Sequence, residues 1–226
     1  MSEPILGIDL GTTNSEVAVI RDGKPHVFAE DGDPILPSVR ELTAGVRAGL
    51  VIDQLDHAWF PQGGYAANVA FYGATKALGS ALNYQRVSGL AYVANSWGAH
   101  TLNLAVSGGT DFGSGMPAYE SFTLGGPLRL SGFRVNQFAG REYAFGRAMY
   151  YNRVFPLPDI LGAGVFAGAS AEIGKIRDRV DGLPSPGTLY SGSLFLGAQT
   201  VAGPGYLGVG FGNSGAFSIY LLLGAP

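Results

Sequence analysis

Apolar and polar residues alternate with a period of two along much of the chain. Phe217, Ile219, Leu221 and Leu223 fall on one side of an extended segment, with Ser218, Tyr220 and Gly224 on the other. Just upstream, Leu207, Val209 and Phe211 alternate with Gly208 and Gly210, and Leu102, Leu104 and Val106 oppose Asn103, Ala105 and Ser107. A period of two is the mark of a strand with unlike faces, because successive side chains point to opposite sides. This pattern predicts nine strands, over residues 46–55, 64–74, 82–97, 101–109, 142–155, 162–176, 188–200, 205–211 and 216–224. Phe60-Pro61-Gln62-Gly63-Gly64, Gly98, Ala202-Gly203-Pro204 and Asn213-Ser214-Gly215 supply turns between them. The stretch from 110 to 139 is long and irregular. Helical periodicity is hard to find, so the expected class is all-β and antiparallel.

The first forty residues read differently. Ile5 to Leu10 is a short apolar strand, Gly11-Thr12-Thr13-Asn14 a bend, and Ser15 to Ile20 a second strand with Val17 and Val19 on one face. Arg21-Asp22-Gly23-Lys24 adds an Asp-Gly turn. A strand–bend–strand with glycine and two threonines at the bend can wrap a phosphate, and a carboxylate at the strand end can hold hydrated Mg²⁺. The plain alternative is a β-hairpin with no ligand. The domains expected are residues 1–43, the hairpin segment, and residues 44–226, the long strand array.

Composition sharpens this picture. Only 14% of residues are charged and 46% are hydrophobic, with 36 glycines. No apolar run reaches the roughly 18 residues of a membrane helix. A mildly apolar chain whose apolar residues are dispersed by alternation suits a membrane β-barrel, where only every second side chain meets lipid. Residues 1–43 hold eight acids against three bases, and the remainder nine against eleven, too little positive charge to suggest nucleic acid. With no cysteine, disulfide scaffolds and thiolate-bound metals are excluded. Met1-Ser2-Glu3-Pro4 lacks a cationic start and Asp9 interrupts the apolar run after Ile5, so no export signal is read here.

Two resemblances attach to these segments. Gly7-Ile8-Asp9-Leu10-Gly11-Thr12-Thr13-Asn14-Ser15, with Leu36-Pro37-Ser38-Val39, resembles the start of the 70-kDa heat-shock chaperone family over residues 4–40. That likeness implies that Asp9, Gly11, Thr12, Thr13 and Asn14 touch the metal and phosphates of ATP. The family's second phosphate loop and adenosine-binding segment have no counterpart in the sequence. Residues 45–226 resemble the bacterial surface antigen barrel of outer-membrane assembly factors, two-partner secretion transporters and patatin-like phospholipases. The likeness rests on Asp53-Gln54-Leu55-Asp56 with Phe60-Pro61 and Gly63-Gly64; on Phe122-Thr123-Leu124-Gly125-Gly126 with Leu128-Arg129-Leu130-Ser131-Gly132-Phe133; and on Tyr150-Tyr151-Asn152-Arg153, Gly168 to Gly174 and Gly203-Pro204. The patatin-linked branch fits best. That family's barrel has sixteen strands with five after its inward loop, which implies that this chain carries the last nine.

The same resemblance makes residues 122–138 a loop folded into the lumen, with Gly125, Gly126, Arg129, Leu130, Ser131, Gly132 and Phe133 as its motif. A wider form of the motif has an anchoring arginine where Ser131 stands, so Arg129 or Arg134 is the expected anchor. Arg86, Arg147 and Arg153 lie inside strands and are expected to face the lumen, paired with Glu142 or Glu172, since lipid exposure costs about 2–4 kcal/mol at mid-bilayer. Trp59, Phe60, Tyr72, Tyr92, Trp97, Tyr150, Tyr151, Tyr206 and Tyr220 sit near strand ends and are expected to form interfacial girdles.

Catalytic chemistry is sparse. No Gly-x-Ser-x-Gly elbow occurs, and Asp22-Gly23, Asp31-Gly32 and Asp181-Gly182 read as turns. His26, His57 and His100 lack metal-ligand spacing, and Asp53 and Asp56 read as turn charges rather than paired acids. The expectation is a partial transmembrane β-barrel that anchors or helps translocate a passenger, without catalysis, cofactor or metal. Its partners would be membrane lipid, a passenger polypeptide or a second copy completing the barrel. A fragment binding ATP and Mg²⁺ at the N-terminal bend, or a fusion with no integrated function, are the alternatives.

Overall fold

In the computed structural model the described residues are 6–10, 15–21, 24–27, 42–156, 162–200 and 203–224. They divide into two units, Met1–Leu42 and Thr43–Pro226. In the first, β1 (Leu6–Leu10), β2 (Ser15–Arg21) and β3 (Lys24–Val27) form an antiparallel sheet in sequence order. Leu10 pairs with Ser15 and Arg21 with Lys24. Strand β3 adds to the two strands and turn expected there; it stands at the sheet edge, where the N–H missing at Pro25 costs no ladder bond.

In the second unit every alternating segment is a strand. These are β4 (Gly45–Asp53), β5 (Gly64–Ala74), β6 (Tyr84–Trp97) and β7 (His100–Thr110), then a short added strand β8 (Phe122–Leu124). After it come β9 (Phe138–Phe155), β10 (Gly162–Arg179), β11 (Leu189–Thr200), β12 (Gly203–Gly212) and β13 (Phe217–Leu223). They form one antiparallel sheet in the order β13-β12-β11-β10-β9-β7-β6-β5-β4, with β8 beside the start of β9. Among the described residues no ladder joins β4 to β13, so both stand as sheet edges.

Register separates the two faces. Val93, Leu104 and Ala148 lie in one cross-strand row that continues through Ala171 and Gly192 to Phe211. This face also carries Leu50, Val69, Leu194, Leu207, Ile219 and Leu221, all exposed, Ile219 by 71%. The opposite face carries Asn103, Met149, Tyr151, Phe166, Glu172, Phe195, Tyr206 and Tyr220, all buried. A sheet can bury one face without a second layer only by curling. The turn between β4 and β5 reveals that curl: its Phe60 stacks on Phe166 of β10 at 4.3 Å and on Tyr206 of β12 at 4.9 Å.

The expected placement of aromatics is therefore corrected. Trp97 and Tyr150 do point to the exposed face, where Trp97 stacks on His100 and the Tyr150 hydroxyl meets His100 Nδ1. Phe60, Tyr151, Tyr206 and Tyr220 instead make the largest buried cluster, with Met149, Phe166 and Phe195. Nearness to a strand end does not decide this. For Tyr151, Tyr206 and Tyr220 the parity of position along the strand does, and Phe60 is carried inward by the β4–β5 turn.

Candidate functional site

The connection from β7 to β9 enters the concave face. Asp111 opens it, buried, with one carboxylate oxygen accepting Gly113 N–H and the other Gly115 and Met116 N–H at 2.9–3.1 Å. Strand β8 then runs back along β9, and the chain knots at Gly125 and Gly126. Both have φ above 100°, a region that glycine alone enters freely. Gly125 N–H donates to Arg129 O and Arg129 N–H to Gly126 O, each at 3.0 Å. Leu128 (φ 55°) and Leu130 (φ 77°) hold a left-handed conformation that costs a branched side chain about 1–3 kcal/mol. Contacts with the wall hold them there.

Glu172, on the concave face of β10, makes the central contact. Its Oε2 accepts Leu130 N–H at 2.8 Å and Ser131 N–H at 2.6 Å, and its Oε1 accepts the hydroxyls of Ser131 at 2.7 Å and Ser170 at 2.6 Å. Four donors surround a carboxylate that is 4% exposed, the compensation a buried charge requires. Directly opposite Glu172 in the β9–β10 ladder is Arg147, whose Nη1 donates to Leu128 O at 3.0 Å. Ser191 on β11 accepts Gly132 N–H at 2.8 Å, and the Ser218 hydroxyl on β13 donates to Ser131 O. Strands β9, β10, β11 and β13 thus all grip residues 128–132.

Small residues in the wall make that approach possible. A Cβ on Gly210 would lie 2.0 Å from Ser131 O, and one on Gly174 would lie 2.9 Å from a Leu130 methyl. Leu130 and Phe133 pack with Leu124, Phe138 and Ile176, while Leu128 joins the cluster around Phe60. The inward loop and the β4–β5 turn thus meet inside the concave face from opposite strand ends. Tyr151 donates to Pro61 O and Tyr206 to Trp59 O, securing the turn. Beside them a cavity of about 310 Å³ remains, lined in part by Trp59, Leu90, Tyr92, Leu128 and Arg147.

Gly125, Gly126, Arg129, Leu130, Ser131, Gly132 and Phe133 all lie in this loop, but the expected anchor is corrected. Arg129 makes no ion pair among the described residues; it donates to Thr123 O at 3.0 Å and lies over the ring of Tyr143 on β9. Arg134 is exposed, and its backbone N–H caps on Gln137. With serine at position 131 the loop supplies donors and the wall supplies the charge. The expected ion pairs are corrected too. Arg86 pairs with Glu120 at 3.3 Å and lies over Phe122; Arg147 holds a carbonyl; Arg153 makes no ion pair among the described residues. Glu142 lies opposite Thr110 and Arg177 on the exposed face.

Asp53 and Asp56 cap the β4–β5 turn, accepting Leu55 and Gln62 N–H. His100 is held by Tyr150 and Asn152. Among the described residues no three metal-ligating side chains of His, Cys, Asp or Glu come together. Asp9 lies on β1, paired in register with Glu16; Gly11, Thr12, Thr13 and Asn14 lie outside the described residues. Sequence reasoning missed Glu172 as the hub of the loop site. The available signal was an acid at a concave-face position of a strand dominated by small residues.

Comparison with known proteins divides the chain in the same way. Residues 38–175 match the Omp85 superfamily domain, a stretch that takes in β4 through β9, most of β10 and the whole inward loop. Residues 5–47 match the Hsp70 protein family. Over 39 residues, 17% of this chain, the sequence is 56% identical to a mitochondrial-type heat shock protein 70 of Encephalitozoon cuniculi (strain GB-M1). The chain spans 7% of that relative's length.

Proposed function

Because the chain belongs to the Omp85 superfamily, we propose that its strand array is a module of an outer-membrane β-barrel that anchors a passenger or helps polypeptide across, with no catalysis of its own. The supporting observation is the division of faces. The middle of the outward face is apolar at Leu50, Val69, Leu104, Leu194, Leu207 and Leu221, while the charged and hydroxyl-bearing Arg147, Glu172, Ser170 and Ser193 turn inward around a pinned loop. In lipid, that arrangement puts every second side chain against acyl chains. Tyr65, Trp97 and Tyr150 then form part of one interfacial girdle. The Leu130-Ser131-Gly132 triplet favours the patatin-linked branch. The unpaired edges β4 and β13 are completed by further strands, for which a second copy is the natural source, because lipid cannot satisfy bare edge groups.

Protein refolded into detergent and, separately, into plain buffer provides the test, read by circular dichroism and heat-modifiable gel mobility. A β-spectrum with boiling-dependent mobility in detergent alone is expected. A folded monomer in plain buffer would remove the spanning role. The heat-shock-like match favours a second reading for residues 5–47, contact with the phosphates of Mg-ATP through Asp9, Gly11, Thr12, Thr13 and Asn14. Titration calorimetry with Mg-ATP, repeated on Thr13→Ala, decides it: binding lost in the variant supports contact, and no heat in either protein leaves a plain hairpin.

A further inference from the structure

The exposed face of the sheet is almost free of charge, and its exceptions lie together. On the described strands β4 to β13 the outward-facing charged side chains are Glu142 on β9 and Lys175 and Arg177 on β10. Arg177 is opposite Glu142 in register and Lys175 opposite Ala144. Together with Gly109, Thr110, Tyr143 and Ala144 they line a recess of about 330 Å³. Glu142 accepts from the Thr110 hydroxyl at 3.5 Å, and neither Lys175 nor Arg177 has an ion-pair partner among the described residues. Both cations are exposed.

Their height on the strand is informative. Outward positions of β10 run apolar from Val165 through Ala167, Ala169 and Ala171 to Ile173. That run is roughly 27 Å along the strand, or about 20 Å along a barrel axis at the usual strand tilt, close to the ~25 Å apolar band of membrane barrels. Lys175 and Arg177 begin where the band ends. They stand at the rim that also carries the long connection from β7 to β9. At the other rim, outward positions hold Trp97, His100, Tyr150 and Asn152, neutral girdle chemistry without a lysine or arginine.

We propose that Lys175 and Arg177 form a docking site for the phosphate of an anionic lipid headgroup, on the rim bearing the inward loop. The arginine fork and the lysine ammonium give two positive groups against the single carboxylate of Glu142, with which neither forms an ion pair, at the depth where headgroup phosphates lie. Apolar neighbours Ala144 and Ile173 hold the first methylenes of the lipid. This site rests on the membrane-spanning reading.

Detergent-folded full-length protein is given equal amounts of phosphatidylglycerol and phosphatidylcholine, and bound lipid is counted by native mass spectrometry. Heat-modifiable mobility is read on the same preparation. Wild type is expected to retain the anionic lipid roughly thirtyfold over the zwitterionic one, from two cations at about 1 kcal/mol each near a charged membrane surface. Lys175→Gln with Arg177→Gln is expected to abolish that preference while keeping the mobility shift. Lys76→Gln, in the exposed connection between β5 and β6, is expected to keep both. Retained mobility with no anionic preference in wild type, or a preference that survives the double substitution, overturns the site alone. Loss of the mobility shift in wild type overturns the spanning reading and the site with it.

Discussion

At the scale of single residues the loop site is an exchange of charge for hydroxyl. Glu172 buries its carboxylate against two backbone N–H groups and two serine hydroxyls, and each contact to a charged partner is worth about 1.5–3 kcal/mol. Glu172→Ala is expected to cost about 3 kcal/mol or more, because the Leu130 and Ser131 N–H groups are left buried without an acceptor. Glu172→Gln keeps a carbonyl for those two and turns its amide toward hydroxyls that can reverse their roles, so about 1 kcal/mol is expected. Midpoints of heat-modifiable mobility, compared across the three proteins, check the order. Gly210→Ala acts on the same site from the other side, since its methyl would meet Ser131 O at 2.0 Å. Proteolysis within residues 125–133 of the folded protein is expected to rise well above wild type.

Elements set what those residues can reach. The β4–β5 turn carries Phe60 across the concave face to Phe166, Tyr206 and Tyr151, and Gly197 leaves the room: a Cβ there would lie 2.5 Å from the Phe60 ring. Phe60→Ala is expected to cost about 3–5 kcal/mol, the usual loss for a buried ring. It is also expected to raise ion conductance in planar bilayers, because the ring packs with Leu128 at the tip of the inward loop. Unchanged stability together with unchanged conductance would show that the turn does not close the lumen. On the outward face the expectation differs. Leu194→Arg, on β11, is expected to cost about 2–4 kcal/mol in bilayers, because its outward side chain is 59% exposed and would meet acyl chains.

For the strand array as a whole, what fills the concave face bears on how the edges are completed. Nine strands alternate along the main path, so the edge strands β4 and β13 run in the same direction. Direct closure of one chain would join them in a parallel seam, and so would pairing β13 of one copy with β4 of another in the same orientation. A barrel of about eight strands has room for side chains alone, whereas this concave face holds loop backbone at 128–132 and the Phe60 turn. Self-closure by nine strands is therefore expected to crowd the loop, and completion by a second copy is the expected alternative. The chain has no cysteine, so Leu50→Cys with Ile219→Cys gives a clean disulfide test in detergent. Cross-linked dimers are expected on non-reducing gels. A cross-linked monomer with its loop still protected would show that one chain closes on itself.

Strand existence and facing were legible in the residues themselves. Alternation such as Leu102-Asn103-Leu104 can satisfy only one pattern of burial, because side chains on a strand must point to opposite sides, and the predicted segments match the observed strands to within a few residues. The loop motif was legible through its glycines, whose backbone conformation tolerates few substitutes. Pairings between residues far apart in sequence were not. Glu172 meets Ser131 across 41 positions and Tyr151 meets Pro61 across 90, contacts that exist only after the sheet has curled. The sequence by itself determined which side chains share a face, since that follows from a local period of two. Only the tertiary structure decided which face is concave, that Phe60 and Tyr206 lie inside it, and which wall residues hold the loop, since curvature sums small twists over many strands and no single segment encodes it.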